Sequence, residues 1–254
     1  GILVDGVPWI AKYPRTTRDL QGKNLPPYTS SPVSEHLGAR IYASLGIPVH
    51  ETMLGYRNGK IVCACKDFTF PGKRLFEFKD IKNALSDDDG GFDSAPSDGE
   101  SVFLGDVLAT IETSDLLRSV PGVLERFWDM FVVDAFIKNP GRSNGNWGVL
   151  MDASFSYELA PVYDLGSSLF GKRGDSLARR RMLDESDIDQ DAFGTNVSCY
   201  RLPSGDGRGA SIHPFSYMAQ TVNPDLDAAI KRFMGSVDMD RIDALIDSVP
   251  AEEI

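Results

Sequence analysis

Cysteine and histidine are scarce in this chain of 254 residues, which holds three of each. Cys63, Cys65 and Cys199 are too few for a disulfide framework. Cys63 and Cys65 alternate along a strand-like run and so share one face, which reads as buried thiols in a reducing cytoplasm. His36, His50 and His213 are scattered, at spacings that support neither a metal site nor a Ser-His-Asp triad. No run of about twenty apolar residues occurs, so no membrane partner is expected. Acidic residues outnumber basic ones, 37 to 26, and a net charge of −11 argues against direct nucleic-acid binding, which needs a basic surface. A local basic pocket for a nucleotide is compatible with that balance. The chain has no Walker phosphate loop, and the acids between Ser86 and Ser101 lack EF-hand spacing, so that segment reads as a solvated acidic loop. The chain opens on Gly1 instead of Met, which predicts native residues ahead of it.

The first thirteen residues read as a β-hairpin, Ile2–Val4 and Val7–Tyr13, closed by Asp5-Gly6. A polar, Gly- and Pro-rich loop follows from Arg15 to Ser34. Ser34 then caps a helix, Glu35–Leu45, stopped by Gly46 and Pro48. Glu35 falls in its first turn, where the helix dipole favours an anion. Two β-rich runs, Val49–Leu54 and Ile61–Cys65, flank an Asn58-Gly59 turn. Helices are expected over Val102–Ile111, Val123–Ile137, Asp225–Met234 and Met239–Ile246, with another entered near Ile212–Met218. Arg179-Arg180-Arg181 reads as a solvated face neutralising nearby acids.

The stretch that organises the rest is Lys138 to Gly148, lying between a buried helix and a short buried strand, Trp147–Met151. A second segment, Leu159 to Asp164, follows a turn at Asp152–Ser154. Phosphoryl-transfer kinases need a loop carboxylate beside the attacking hydroxyl, an amide five residues later on a metal, and a second metal carboxylate. Asn146 fits the amide and Asp164 the second carboxylate. Five residues before Asn146 stands Gly141, which has no carboxylate to offer.

Asn139, Arg142, Asn144, Asn146, Trp147 and Gly148, followed by Tyr163, Asp164 and Ser167, closely resemble the catalytic core of HipA-like serine/threonine kinases. Gly141 and Ser143 depart from that pattern, at the positions of its catalytic Asp and of a frequent His. The resemblance implies a two-lobed α+β protein-kinase-like fold, with a small antiparallel sheet lobe over residues 1–72 and a larger, mainly helical lobe over 73–254. It implies ATP and Mg²⁺ as cofactors, with phosphate transfer to a protein Ser/Thr and a possible toxin role opposite an antitoxin-like partner.

Its site residues carry over as follows. Gly141, Arg142 and Asn146 make the catalytic loop, and Asn146 and Asp164 bind metal. Lys12 takes the nucleotide phosphates, Ser30 and Ser31 belong to the phosphate-covering loop, and Lys66-Asp67-Phe68 form the hinge. Lys12 taken alone reads by default as a solvated strand residue, and the later motif makes the phosphate lysine the better reading; Glu35 reads either as a dipole partner or as the glutamate that pairs with Lys12. Two functions stay open: an active kinase impaired at Gly141, and a nucleotide-binding pseudokinase acting through its shape.

Overall fold

The computed structural model describes residues 1–17, 28–88, 103–194, 197–205 and 207–249. The middle of the polar loop, Arg18 to Pro27, and most of the acidic segment, 89–101, lie outside the described residues.

The N-terminal part is a four-stranded antiparallel sheet in the order β1-β2-β4-β3. It comprises β1 (Ile2–Val4), β2 (Val7–Lys12), β3 (Thr52–Arg57) and β4 (Lys60–Lys66), with helix α1 (Ser31–Ser44) between β2 and β3. Both tight hairpins use the expected turn chemistry. Asp5 and Gly6 take φ of 51° and 78°, and Asn58 and Gly59 take 53° and 71°, the left-handed values that match strand twist. The register sets Lys12 opposite Cys63. Helix α1 starts four residues earlier than the sequence suggests. Ser30 is its N-cap and Pro32 sits in its first turn, where a missing N–H costs nothing. Ser34 is therefore inside the helix, and Glu35 lies beyond the first turn, buried at 1% exposure.

Strand β5 (Arg74–Glu77) leads into α2 (Phe78–Asp88), and then α3 (Leu104–Thr113), α4 (Asp115–Ser119) and α5 (Val123–Phe136) follow. A second sheet, ordered β5-β6-β7, contains β6 (Gly148–Met151) and β7 (Tyr157–Leu159). Gly148 is required there, because a Cβ would lie 2.0 Å from the Phe76 carbonyl oxygen of the paired strand. Past Leu159 the chain leaves the sheet, and Val162 forms a parallel bridge with Val49. Short helices α6 (Asp175–Arg181) and α7 (Glu185–Asp189) come next, then a two-stranded ribbon of β8 (Arg201–Leu202) and β9 (Ala210–Ser211). Helices α8 (Pro214–Gln220), α9 (Pro224–Ser236) and α10 (Met239–Asp247) close the described chain. Arg181 pairs with Asp187 and Asp191, each at 3.0 Å, as expected of a face that neutralises local acids.

The core centres on α5, whose Phe127, Trp128, Met130 and Phe131 are all buried. Trp147, at the entry to β6, stacks on Phe78 with centroids 4.2 Å apart and planes at 16°. Phe136 meets Phe233 of α9 at 5.2 Å. Val249, after α10, packs with Val33 and Leu37 of α1, so the last described residue covers the first helix. Among the described residues no helix is long and apolar enough to cross a membrane.

Trp147→Ala removes a stacked, buried indole and is expected to cost about 3–5 kcal/mol of unfolding free energy. Equilibrium denaturation in urea against the unaltered chain checks this.

Candidate nucleotide and phosphoryl-transfer site

Helix α5 ends at Phe136 with Ile137 as its C-cap, and Lys138 turns the chain with φ of 56°. The loop beyond is tied to one buried carboxylate. Asp134 accepts from the Tyr42 hydroxyl at 2.8 Å, from Asn139 Nδ2 at 3.0 Å and from Arg142 Nε at 2.8 Å. Arg142 also donates to the carbonyls of Asn146 at 2.7 Å and Tyr163 at 2.6 Å. Burial opposes its charge, but the Asp134 carboxylate prevails and raises its pKa. At 3% exposure its guanidinium faces inward, so Arg142 anchors the loop from behind.

Inside that frame Asn146 Nδ2 donates to the Gly141 carbonyl at 2.6 Å, and the Gly141 N–H donates to Asn139 Oδ1 at 3.1 Å. A Cβ at Gly141 would sit 3.0 Å from Ser167 Cβ, 3.1 Å from its Oγ and 3.2 Å from Asn139 Oδ1. The volume a side chain would need is thus partly occupied.

Lys12, at the end of β2, lies between two carboxylates. Its Nζ is 3.0 Å from Glu35 Oε2 and 2.7 Å from Asp164 Oδ1. Burial lowers its pKa, but Glu35 and Asp164 outweigh that and the net shift is upward. Burial would raise the Glu35 pKa, yet His50 and Lys12 overcome it and hold it at about 2. His50 Nε2 stands 3.1 Å from Glu35 Oε1. The sequence offered no sign of this neighbour, because fifteen positions separate the two residues and only the packing of α1 on the sheet joins them. Asp164 holds a left-handed backbone at φ 58°, which Asp tolerates better than most residues.

Lys12, Glu35, Asp164 and Ser167 line a cavity of about 300 Å³, together with Thr29 and Ser31 at the start of α1. Ser31 Oγ bonds Thr29 Oγ1 at 2.9 Å, while the Ser30 N–H donates to the Gly171 carbonyl at 2.7 Å. Lys66 pairs with Glu51, and Asp67 Oδ1 accepts from the Thr69 N–H at 2.9 Å. Phe68 packs on Tyr163, the residue before Asp164, at 5.4 Å. A larger cavity of about 420 Å³ lies between α5 and α9. None of the motif residues lines it, so volume is a poor guide to the chemistry here.

Two substitutions probe this frame. Arg142→Ala leaves Asp134 buried without its cation and is expected to cost about 3–5 kcal/mol of stability. Glu35 has a depressed folded pKa, so its contribution is present above the ordinary value of 4.5 and disappears as pH falls through about 2. Glu35→Gln should therefore destabilise on the order of 3 kcal/mol at neutral pH and progressively less across that acid window, as read from unfolding curves at several pH values.

No family model matches the sequence. A curated relative, the serine/threonine-protein kinase CtkA of Helicobacter pylori strain J99, is 35% identical over 228 residues. That alignment covers 88% of this chain and 65% of the relative, so the chain spans just under two thirds of the length of the protein it matches. The crystal structure of the proinflammatory kinase CtkA of Helicobacter pylori superposes with a TM-score of 0.82 at 28% identity, covering 98% of this chain and 82% of that one. A HipA–HipB–operator DNA complex from Shewanella oneidensis MR-1 reaches a TM-score of only 0.39 at 12% identity, covering 87% of this chain and 51% of that one. The chain thus shares the two-lobed, kinase-like fold of CtkA, and is similar to that serine/threonine kinase in sequence along most of its length.

Proposed function

We propose that this chain binds ATP with magnesium in the cleft beside Lys12, and that it transfers phosphate to a serine or threonine of a protein at a rate limited by Gly141. The observation that carries this reading is Lys12 held between Glu35 and Asp164, at 3.0 and 2.7 Å. A lysine fixed by a helix glutamate beside a metal carboxylate is the arrangement that phosphoryl transfer uses. The similarity to a serine/threonine kinase supports it.

Each residue then has a task. Lys12 holds nucleotide phosphates, and Glu35 keeps Lys12 extended into the cleft. The N-terminus of α1, with Thr29 and Ser31 on the cavity wall, offers backbone dipoles to the same phosphates. Asp164 and the Asn146 amide oxygen are hard oxygen donors, the set that magnesium takes. The bound ion would neutralise phosphate charge, and Asp164 would turn from Lys12 toward it. Lys66-Asp67-Phe68 would flank the base, and residues 1–72 and 73–254 would act as the two lobes around the nucleotide. The toxin role and antitoxin-like partner implied by the HipA-like resemblance belong to this reading.

The attacking hydroxyl lacks a carboxylate. Asp134 is no substitute, because Tyr42, Asn139 and Arg142 already occupy it. Losing a general base lowers the rate by roughly 10²–10⁴-fold, while positioning and charge neutralisation persist. A second reading, a nucleotide-binding pseudokinase, is favoured by one observation: Ser167 and Asn139 close around the side-chain position at Gly141.

Intact-protein mass after incubation with ATP and magnesium tests the proposal on the unaltered chain and on Gly141→Asp. Phosphate is expected on Gly141→Asp at least a hundredfold faster than on the unaltered chain. Equal rates would mean that Gly141 is not the limit. No phosphate on either would favour the pseudokinase.

A further inference from the structure

We infer that Glu35, His50 and Cys65, with Cys63 beside them, form a binding site for zinc or a similar soft divalent cation, and that this site shares Glu35 with Lys12. One carboxylate oxygen, one imidazole nitrogen and one sulfur from the first three residues all lie within 4.8 Å of one another, and all three residues are buried. The site is built on ordered elements: Glu35 on α1, His50 just ahead of β3, and both cysteines on β4 at the centre of the sheet. The His50 N–H donates to the Val162 carbonyl at 3.0 Å, which fixes its backbone.

Two observations point to a ligand. His50 Nε2 and Glu35 Oε1 are 3.1 Å apart without a hydrogen bond of good geometry, whereas Glu35 Oε2 is paired with Lys12 at 3.0 Å. Glu35 and His50 are 1% and 5% exposed, so two polar atoms, Glu35 Oε1 and His50 Nε2, are buried and turned toward one another without a well-formed hydrogen bond. The second observation is the sulfur pair. Cys63 and Cys65 Sγ are 3.9 Å apart, close to the separation of about 3.8 Å for two thiolates bonded at about 2.3 Å to one tetrahedral zinc. Thiolate, imidazole and carboxylate together select zinc-type ions over magnesium or calcium. On binding, each coordinating thiol releases its proton to water, and His50 offers the Nε2 lone pair.

The consequence for nucleotide binding rests on the reading of Lys12 and Glu35 given above. Glu35 lines the same cavity as Lys12, so that cleft is the entry path. A metal-bound Glu35 has less charge to give Lys12, leaving it to Asp164. Zinc would then weaken ATP binding from behind the phosphate site.

The full chain, freed of metal and kept reduced, should be incubated with zinc, desalted and assayed for retained metal, and separately titrated with cobalt. About one zinc per chain and a cobalt–thiolate absorption band are expected. Cys65→Ser and His50→Gln should each lower affinity by roughly tenfold or more and, for Cys65→Ser, weaken the band. The inference is overturned if the unaltered chain retains no zinc, or if both variants retain as much as it does. Should a variant fail to fold, the cobalt spectrum of the unaltered chain decides, since a band without thiolate character contradicts the site. ATP affinity of the zinc-free chain, measured in magnesium, reports on the kinase reading by itself, so the two can fail separately.

Discussion

The buried pair of Asp134 and Arg142 is the constraint on which the cleft depends. One carboxylate gathers Tyr42 from α1, Asn139 and Arg142 from the loop, and through Arg142 the carbonyls of Asn146 and Tyr163. Those contacts join the sheet-bearing part, the loop and the segment that presents Asp164. Burying two charges is expensive, and such a pair often adds little net stability compared with apolar residues of the same size. What it does here is fix geometry: removing either partner would strand the other, so the loop has one arrangement.

Lys12 completes that arrangement from the opposite side. Because Glu35 and Tyr42 lie on the same helix, a shift of α1 would move both the lysine's partner and the hydroxyl that Asp134 holds. The left-handed Asp164 and the Val49–Val162 bridge hold the other carboxylate in register with the sheet. Lys12 therefore spans the two parts of the fold while bound to groups that each part positions. Gly141 stands apart from this. The loop keeps its backbone hydrogen bonds without a side chain there, which explains how the frame persists where the acid is missing.

Much of this was legible because it rests on local chemistry. Asp5-Gly6 and Asn58-Gly59 demand left-handed turns, and the apolar face of α5 reads directly as a buried helix. The sequence places the start of α1 too late because Pro32 reads as loop, although the first turn of a helix accommodates it. The strand Arg74–Glu77 and the helix after it carry little local signal, since four residues cannot display a period and the sheet partner lies more than seventy positions away. Arg142 was recognisable as part of a motif, but its inward direction depends on Asp134, and spacing alone does not convey that. His50 was invisible as a neighbour of Glu35 for the same reason: its position comes from tertiary packing.

The function proposed for this chain requires the Lys12–Glu35–Asp164 triangle to be a nucleotide site. Isothermal titration with ATP, with and without magnesium, on the unaltered chain and on Asp164→Asn tests it most directly. Saturable one-to-one binding that requires magnesium and weakens at least tenfold in Asp164→Asn is the predicted result. Binding indifferent to both magnesium and Asp164, or no binding at all, would contradict it.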